Sequence, residues 1–454
     1  MEKLNEIEVW FNNKEKIGII KKVNQRPYTT SFRYDKQWLK NGFSISPFSL
    51  PLEDKEFIAN PFLFDGIFGV FADSLPDSWG RLLENEMLRS AGIDPGEIDP
   101  INRLSMVGEL GMGALTYSPM LEFDIEGNNN IDLDKLSLSC KEIITVDDSE
   151  YLDELYKLGG FLGGSKPKIL IKVAEEEWII KFPSLLDKPE IGKQEYDYSI
   201  CAKKCGIDMP ETRLFSSEIS KGYFGVKRFD RGMNNEGIHM ITASALLEVS
   251  HKFPNLDYID LLKLTKQLTS NEEEIKKMFK LMCFNVFAHN RDDHSKNFSF
   301  IYNLETKLWK LSPAYDLTYS HSIGGEHATT VNGNGRDPGL KEILEVAKKI
   351  DLNIDFAKET ALNIEKIVKK ELKEYLVVGK KKRTRSRSKN NTNEIWKGLN
   401  FSVLFLIFIG FEIFIFYNHK VQKPHEILFI KISCFTLLKN YKVQKRNVTK
   451  FMKM

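Results

Sequence analysis

The feature that most limits what this chain can become is an abrupt change of texture near residue 289. From about 241 to 288 helical spacing persists through ITASALLEV, YIDLLKLTKQL and EEEIKKMFKLMCFNVFA. It then breaks into the polar segment HNRDDHSKNFSF, His289–Phe300, and a strand-like run, FSFIYN, follows at once. The pattern predicts a mainly α unit that ends in a tight polar loop between two ordered elements.

Length sets the frame for that unit. A chain of 454 residues exceeds what one ordinary core supports and predicts two or three domains or lobes, hence room for a cleft between them. Hydrophobic residues at 42% and charged residues at 28% match soluble globular averages, so most of the chain should fold conventionally. The net charge of +2 is the near-cancellation of 65 basic and 63 acidic side chains, which removes any global argument for nucleic-acid or membrane attraction. Cys140, Cys201, Cys205, Cys283 and Cys434 are scattered, without a CxxC pair, and read as buried small apolar side chains in a reducing, cytosolic compartment. The N-terminus, MEKLNEIEVWFNNKEKIG, lacks the apolar stretch of a secretion signal.

Upstream of the helical unit the periodicity differs. Residues 7 to 50 carry short β-prone runs, IEVWF, IGIIKKV and TTSFRYD, and Trp79–Arg89 has helical spacing with Asp77 or Ser78 as cap and Gly92 as stop. GELGMGALTYSP marks a turn entering a strand, and residues 125 to 150 read as a solvated connection before a helix at Tyr151–Leu158. A glycine-rich turn then leads into a hairpin, KILIKV and WIIKF, followed by helical spacing at 190 to 205 and strand character at 213 to 229.

Chemistry concentrates in four places along this order. Asp292 and Asn297 stand in the D-x-x-x-x-N spacing that protein kinases use for a base and a magnesium-binding amide. Asp316 in PAYDLTY is the natural second metal ligand, since hard oxygen donors suit magnesium. Gly159, Gly160, Gly163 and Gly164 precede Ser165, Lys166 and Lys168, a composition that lets backbone amides approach phosphate. Lys181 lies in a strand and Glu195 in the next helix, the order of the kinase lysine and glutamate pair. Blander readings accompany each: Lys181 also fits an edge-strand lysine, Glu195 a surface residue, His294 a cap of its own loop, and GGFLGGSKP a simple connector. Asp77 reads as a helix cap, and Asp230 with Arg231 as a turn-fixing pair.

The segments FDGIFGVFADSLPDSWGRLL, MVGELGMGAL, GGSKPK, VKRFDR, NRDDHSKNFSF and PAYDL, spread over roughly residues 7 to 345, together resemble the HipA family of serine/threonine kinase toxins. The resemblance implies an α/β (α+β), two-lobed protein-kinase-like fold. Its parts would be a small β-rich N-terminal domain (1–118), a small lobe with glycine-rich loop and hinge (119–235), a mainly α large lobe (236–378) and a tail (379–454). ATP and Mg2+ would be the cofactors. Asp292 would be the catalytic base, Asn297 and Asp316 the magnesium ligands, His294 the active-loop histidine and Lys181 the ATP-phosphate lysine, paired with Glu195. Gly163, Gly164, Ser165 and Lys168 would cover the phosphates, and Lys227 to Phe229 would form the adenine-contacting hinge. The implied partners are a small DNA-binding antitoxin (HipB-like), through which DNA is reached only indirectly, and a protein substrate such as an aminoacyl-tRNA synthetase. Gly163 stands where the best-known members carry an inhibitory phosphorylated serine, with Ser165 shifted by two residues. A small-molecule kinase of related fold and a catalytically idle corepressor partner stay open as alternatives.

Beyond Gly379 the text changes again. GKKKRTRSRSKNN is a basic run, and Leu399–Tyr417 is nearly continuous Phe, Ile and Leu interrupted by Glu412. The basic run reads as a solvated linker, and the apolar run either as a membrane anchor or, with KVQK recurring at 420 and 442, as frameshift-derived sequence.

Overall fold

A computed structural model describes residues 3–121, 131–146, 151–253 and 256–376. The first strands form where apolar residues alternate: in β1 (Glu6–Phe11), Ile7, Val9 and Phe11 face inward. β2 (Glu15–Gln25) and β3 (Tyr28–Tyr34) continue an antiparallel meander, and β4 (Phe57–Ile58) and β5 (Leu115–Ser118) complete a sheet of order β4-β3-β2-β1-β5. The late strand β5 returns beside the first, pairing Glu8 with Ser118 and Phe11 with Leu115. Between β3 and β5 lie the helices α1 (Lys36–Asn41), α2 (Gly69–Ala72), α3 (Ser78–Ser90) and α4 (Pro100–Val107). Asp35 and Asp99 cap α1 and α4 through side-chain bonds to the amides of Gln37 and Asn102.

The predicted solvated connection instead contains a helix, α5 (Leu133–Val146). Its opening is acidic, but Leu136, Cys140 and Ile143 recur on one face and are buried. Overall polarity hid that stripe. Residues 122–130 and 147–150 lie outside the described residues.

The glycine-rich turn follows α6 (Leu152–Gly159), and the expected hairpin is β6 (Lys168–Val173) with β7 (Glu176–Lys181). After α7 (Ile191–Lys204) come β8 (Thr212–Phe215) and β9 (Tyr223–Lys227), giving an antiparallel sheet β6-β7-β9-β8. Its core joins Ile169, Trp178, Ile180 and Tyr223 of the strands to Trp79 and Leu83 of α3 and to Leu136 and Cys140 of α5. A helix encoded before residue 91 is thus part of the hydrophobic core beneath this sheet.

The remaining residues are mainly helical: α8 (Ala243–Leu247), α9 (Tyr258–Thr269), α10 (Glu272–Phe287), α11 (Leu340–Lys349) and α12 (Ile354–Glu371). Short strands interleave them: β10 (Met240–Thr242) pairs with β12 (Ser299–Asn303), which pairs with β13 (Leu308–Leu311), and β11 (Leu256–Asp257) runs parallel to β14 (Thr329–Thr330). α10 begins at an Asn271 cap followed by three glutamates, which suits the positive end of the helix dipole. It then buries Ile275, Met278, Phe279, Met282, Cys283 and Phe284. Among the described residues no helix is long and apolar enough to cross a membrane. The basic run 379–391 and the apolar run 399–417 lie outside the described residues, as does Cys434. The other four cysteines are free and buried.

α2 and α8 meet so closely that a Cβ on Gly69 would sit 2.6 Å from the Cα of Ala245. At the other end of α8, Glu248 takes a left-handed backbone, φ 51°, and its carboxyl accepts from the Gly69 amide. Burial pushes the Glu248 carboxyl up from 4.5 to about 7. A raised carboxyl pKa means the folded chain binds this proton more tightly than the unfolded chain, so stability falls as pH rises from 4.5 to 7, by at most about 3 kcal/mol. Glu248→Gln removes that loss. Thermal unfolding is expected to show the variant more stable than wild type at pH 8 and equal to it near pH 4.5; an equal offset at both pH values would refute the assignment.

Candidate active site

The polar loop begins where α10 ends. His289 turns the chain with a left-handed backbone, φ 54°, and Tyr198 of α7 donates to the carbonyl of Ala288, 2.8 Å. In the segment that follows, Asn290, Arg291, Asp293 and Ser295 are buried while Asp292 is exposed. Asp293 is fully buried and accepts from Tyr258 Oη at 2.7 Å, from His327 Nδ1 at 2.9 Å and from the Thr329 amide at 3.2 Å. Tyr258 in turn accepts from Asn285 Nδ2 at 2.9 Å, and Asn285 Oδ1 accepts from Asn290 Nδ2 at 3.0 Å. Burial, reinforced by the Asp293 charge, raises the Tyr258 phenol well above its ordinary value. This network anchors the loop from below.

Asp292, beside Asp293, faces out, and no described side chain pairs with its carboxylate. Its backbone carbonyl accepts from Asn297 Nδ2 at 2.7 Å, so the two residues of the D-x-x-x-x-N spacing close one turn. That bond commits the amide nitrogen of Asn297 and leaves its Oδ1 as a free acceptor. Sequence reading did not single out Asp293; the available signal was a second aspartate directly after Asp292.

Lys181 ends β7 and is the centre of the charged cluster. Its Nζ lies 2.5 Å from Glu195 Oε1 on α7 and is also bonded to Asp316 Oδ1. Burial disfavours the ammonium, but Asp316 and Glu195 outweigh it and raise the Lys181 pKa. The same balance runs the other way at Asp316, where burial is overcome by Lys181 and Lys168 and the carboxyl stays well below its usual range. Asp316 itself has φ 54°, a left-handed conformation that costs energy in a residue with a side chain. Lys168 sits opposite Lys181 in the β6–β7 register and is buried; its Nζ donates to the Gly163 carbonyl at 2.6 Å. Burial lowers its pKa, against the raising charge of Asp316. Two lysines and two carboxylates form a locally neutral group.

The glycine-rich loop lies against α3. The Trp79 amide donates to the Gly164 carbonyl, 3.3 Å, and Trp79 Nε1 to the Lys168 carbonyl, 3.1 Å. Gly164 has φ +94°, a backbone conformation that demands glycine, and a Cβ there would meet Lys168 Nζ at 2.3 Å and displace it. Ser165 is exposed beside it. Asp77 occupies the N-cap position of α3, yet its side chain makes no capping bond. The carboxylate instead accepts from the Gly164 amide, 3.2 Å, and from Lys296 Nζ, 2.9 and 3.1 Å. The cap expectation is therefore right for the backbone and wrong for the side chain. Burial alone would raise the Asp77 pKa, but the Lys296 charge holds it well below the usual carboxylate range.

The other candidates are more peripheral. His294 is half-buried with its ring 5.4 Å from that of His251, and its Nδ1 is buried without a hydrogen-bond partner among the described residues. Lys227 sends its amine to Glu176 Oε1, 2.5 Å, on the adjacent hairpin, so its side chain is already committed. Phe229 stacks on Tyr315, the neighbour of Asp316, at 5.6 Å between ring centres. Tyr315 Oη donates to the Lys296 carbonyl, 2.7 Å. Asp230 is fully buried between Arg228 (2.7 and 2.9 Å), Arg231 Nη1 (3.0 Å) and the Gly113 amide (2.7 Å), which ties the strand-end segment to the GELGMG turn. Burial opposes ionisation there, but Arg228 holds the carboxyl at about 2.

Comparison with known proteins follows this geometry. Residues 7–118 match the HipA N-terminal domain and residues 160–374 the HipA-like C-terminal domain. A Haemophilus influenzae protein named "Putative kinase" is 24% identical over 205 residues, 40% of this chain and 57% of that protein. A Sinorhizobium fredii protein, "Putative kinase Y4dM", is 26% identical over 206 residues, 40% of this chain and 49% of that protein. The chain thus spans about half the length of the curated relatives it matches. A solved chain from the Shewanella oneidensis toxin-antitoxin complex of HipA, HipB and operator DNA shares the fold at TM-score 0.60 and 15% identity, covering 99% of each chain. With the two HipA domains matched in order along the chain, the second beginning at the glycine-rich loop, and a two-lobed kinase-like fold common to both chains, the protein belongs to the HipA family.

Proposed function

We propose that this chain is an ATP- and magnesium-dependent serine/threonine protein kinase, the toxin of a HipA/HipB-like module acting in the cytoplasm. The observation that carries the reading is Lys181 joined at once to Glu195 and Asp316, with a cation at hand where a nucleotide's phosphates need one. The named relatives and the family resemblance support it. We take residues 1–118 as the N-terminal domain, 119–235 as the small lobe and 236–378 as the large lobe.

In this reading Asp292 accepts the proton of a substrate hydroxyl as its oxygen bonds to the γ-phosphorus and the bridging P–O bond breaks, releasing ADP. Lys181 and Lys168 face the developing phosphate charge, Glu195 keeps Lys181 oriented, and Gly163, Gly164 and Ser165 cover the phosphates. Phe229, already stacked on Tyr315, bounds the base end of the nucleotide; Lys227 contributes through its backbone. His294 shapes the loop beside Asp292. The donor set fits magnesium: Asn297 has a free amide oxygen and Asp316 a second carboxylate oxygen, and this ion takes few protein ligands, completing its shell with water and phosphate. When bound, it would neutralise phosphate charge. The HipB partner in the Shewanella complex supports a small DNA-binding antitoxin here, and an aminoacyl-tRNA synthetase is the protein substrate we favour.

Asp292→Ala is expected to cut phosphate transfer by about 10²- to 10⁴-fold and to abolish growth arrest when the chain is expressed, with labelled ATP in lysates revealing the phosphorylated band. Arrest that persists without a labelled band would sink the kinase reading. Lys181→Met removes the shared cation and leaves the buried Glu195 unpaired. Denaturant unfolding should show a loss of about 3 kcal/mol at pH 7, shrinking only as pH falls through the usual carboxylate range and below it, where Asp316 loses the charge that Lys181 stabilises. A loss that does not change with pH would mean that the lysine is held by packing and not by charge.

A further inference from the structure

The N-terminal domain reaches into this site through one side chain. Asp77 stands at the start of α3, where an aspartate ordinarily bonds its own helix's amides. Here that bond is absent, and α3 has no other acidic residue in its first turn. The carboxylate is spent elsewhere. One oxygen, Oδ2, accepts from the Gly164 amide at 3.2 Å, and both oxygens accept from Lys296 Nζ at 2.9 and 3.1 Å.

The neighbours of Asp77 reinforce the same contact. Trp79 bonds the loop at Gly164 and Lys168. Gly80, one position on, packs so tightly that a Cβ there would lie 2.6 Å from the Leu162 carbonyl and 2.8 Å from that of Gly160. α3 is thus pressed along the length of the glycine-rich loop. On the far side, Lys296 belongs to the single turn that also holds Asp292 and Asn297, and Tyr315 fixes its carbonyl. The side chain of Lys296 is 13% exposed and that of Asp77 24%. A largely shielded ion pair with three bonds on one carboxylate is a stiff link.

We propose that Asp77 is a positioning residue of the phosphotransfer site, holding the glycine-rich loop at a fixed height over the loop of Asp292 and Asn297 by bridging Gly164 to Lys296. The inference rests on the kinase reading and extends it. In a kinase whose phosphate-covering loop moves freely, nucleotide binding must order that loop; here the N-terminal domain orders it beforehand, and the benefit appears in affinity for ATP. Lys296 has a second task in this arrangement. It neutralises a carboxylate that would otherwise repel the phosphates beneath the loop.

The test uses the full chain and compares wild type with Asp77→Asn and Asp77→Ala, with Asp54→Asn, an exposed aspartate of the N-terminal domain paired to Arg33, as control. Asparagine keeps an acceptor for the Gly164 amide but gives Lys296 no charge; alanine removes both. Phosphate transfer at varied ATP, thermal unfolding and hydrogen exchange of the 162–168 segment are measured together. The expected result is a KM for ATP raised about tenfold in Asp77→Ala and by less in Asp77→Asn, with kcat within about threefold, faster exchange of the segment in both, and no change in the control. Unaltered KM and exchange in folded variants would overturn the proposal while the kinase reading stands. Failure of both variants to fold would overturn it too, since the residue would then serve folding and not the site. Absence of ATP-dependent transfer by wild type would remove the kinase reading and this inference with it.

Discussion

One ammonium group shared by two carboxylates is the constraint on which the centre of this molecule depends. Lys181 bonds Glu195 and Asp316, and the three residues come from a strand, a helix and the segment after β13. Charges this shielded are costly unless each finds a partner. Lys168, directly opposite in the hairpin, completes a set of two positive and two negative groups. Hydrophobic packing can hold a strand against a helix in several registers; this set is satisfied in one. The left-handed backbone of Asp316 is a cost that the ion pair offsets, and it aims the carboxylate back at the hairpin.

The polar loop obeys a different rule with a similar outcome. Asp293 is held by a phenol, an imidazole and a backbone amide, while its predecessor faces solvent. The buried carboxylate anchors the segment on which the exposed carboxylate of Asp292, without a partner among the described residues, is carried. The base proposed at Asp292 would need this: a free acceptor on a backbone that does not shift when the proton arrives. The same segment gives Asn297 its orientation, because its amide nitrogen is fixed on the Asp292 carbonyl.

How far these arrangements could be read beforehand depended on the range of the interaction. The hairpin, the helical unit and the polar loop follow from local periodicity, and the order Lys181, Glu195, Asp292, Asn297, Asp316 is visible along the chain. That Lys181 meets both acids is not, since Asp316 lies 135 residues away. α5 escaped notice because its buried face of Leu136, Cys140 and Ile143 is carried among many polar residues, and a stripe that narrow is lost in an average. Asp77 was misjudged for the opposite reason. Its local signal, an acid before a helical run, was clear and correctly located the helix, but side-chain bonds to residues 87 and 219 positions on leave no trace in local pattern.

These long-range bonds bear on why the two matched domains occur in one chain. Trp79 and Leu83 of α3 are buried in the same cluster as Ile169, Trp178 and Ile180 of the β6–β7 hairpin. Burial of two such side chains is worth several kcal/mol, about 1.5 to 3 each, a sizeable part of the net stability of a typical domain. The sheet that carries Lys168 and Lys181 thus lacks a complete core without the helix that carries Asp77. At the other end, Asp230 links the Gly113 turn to the segment leaving β9, and Asp73 bonds Thr242 at the head of α8. The N-terminal domain is fastened to the glycine-rich loop, to the strand-end segment and to the helical unit. Two parts joined at three such places would move together, which is what a positioning role for Asp77 requires.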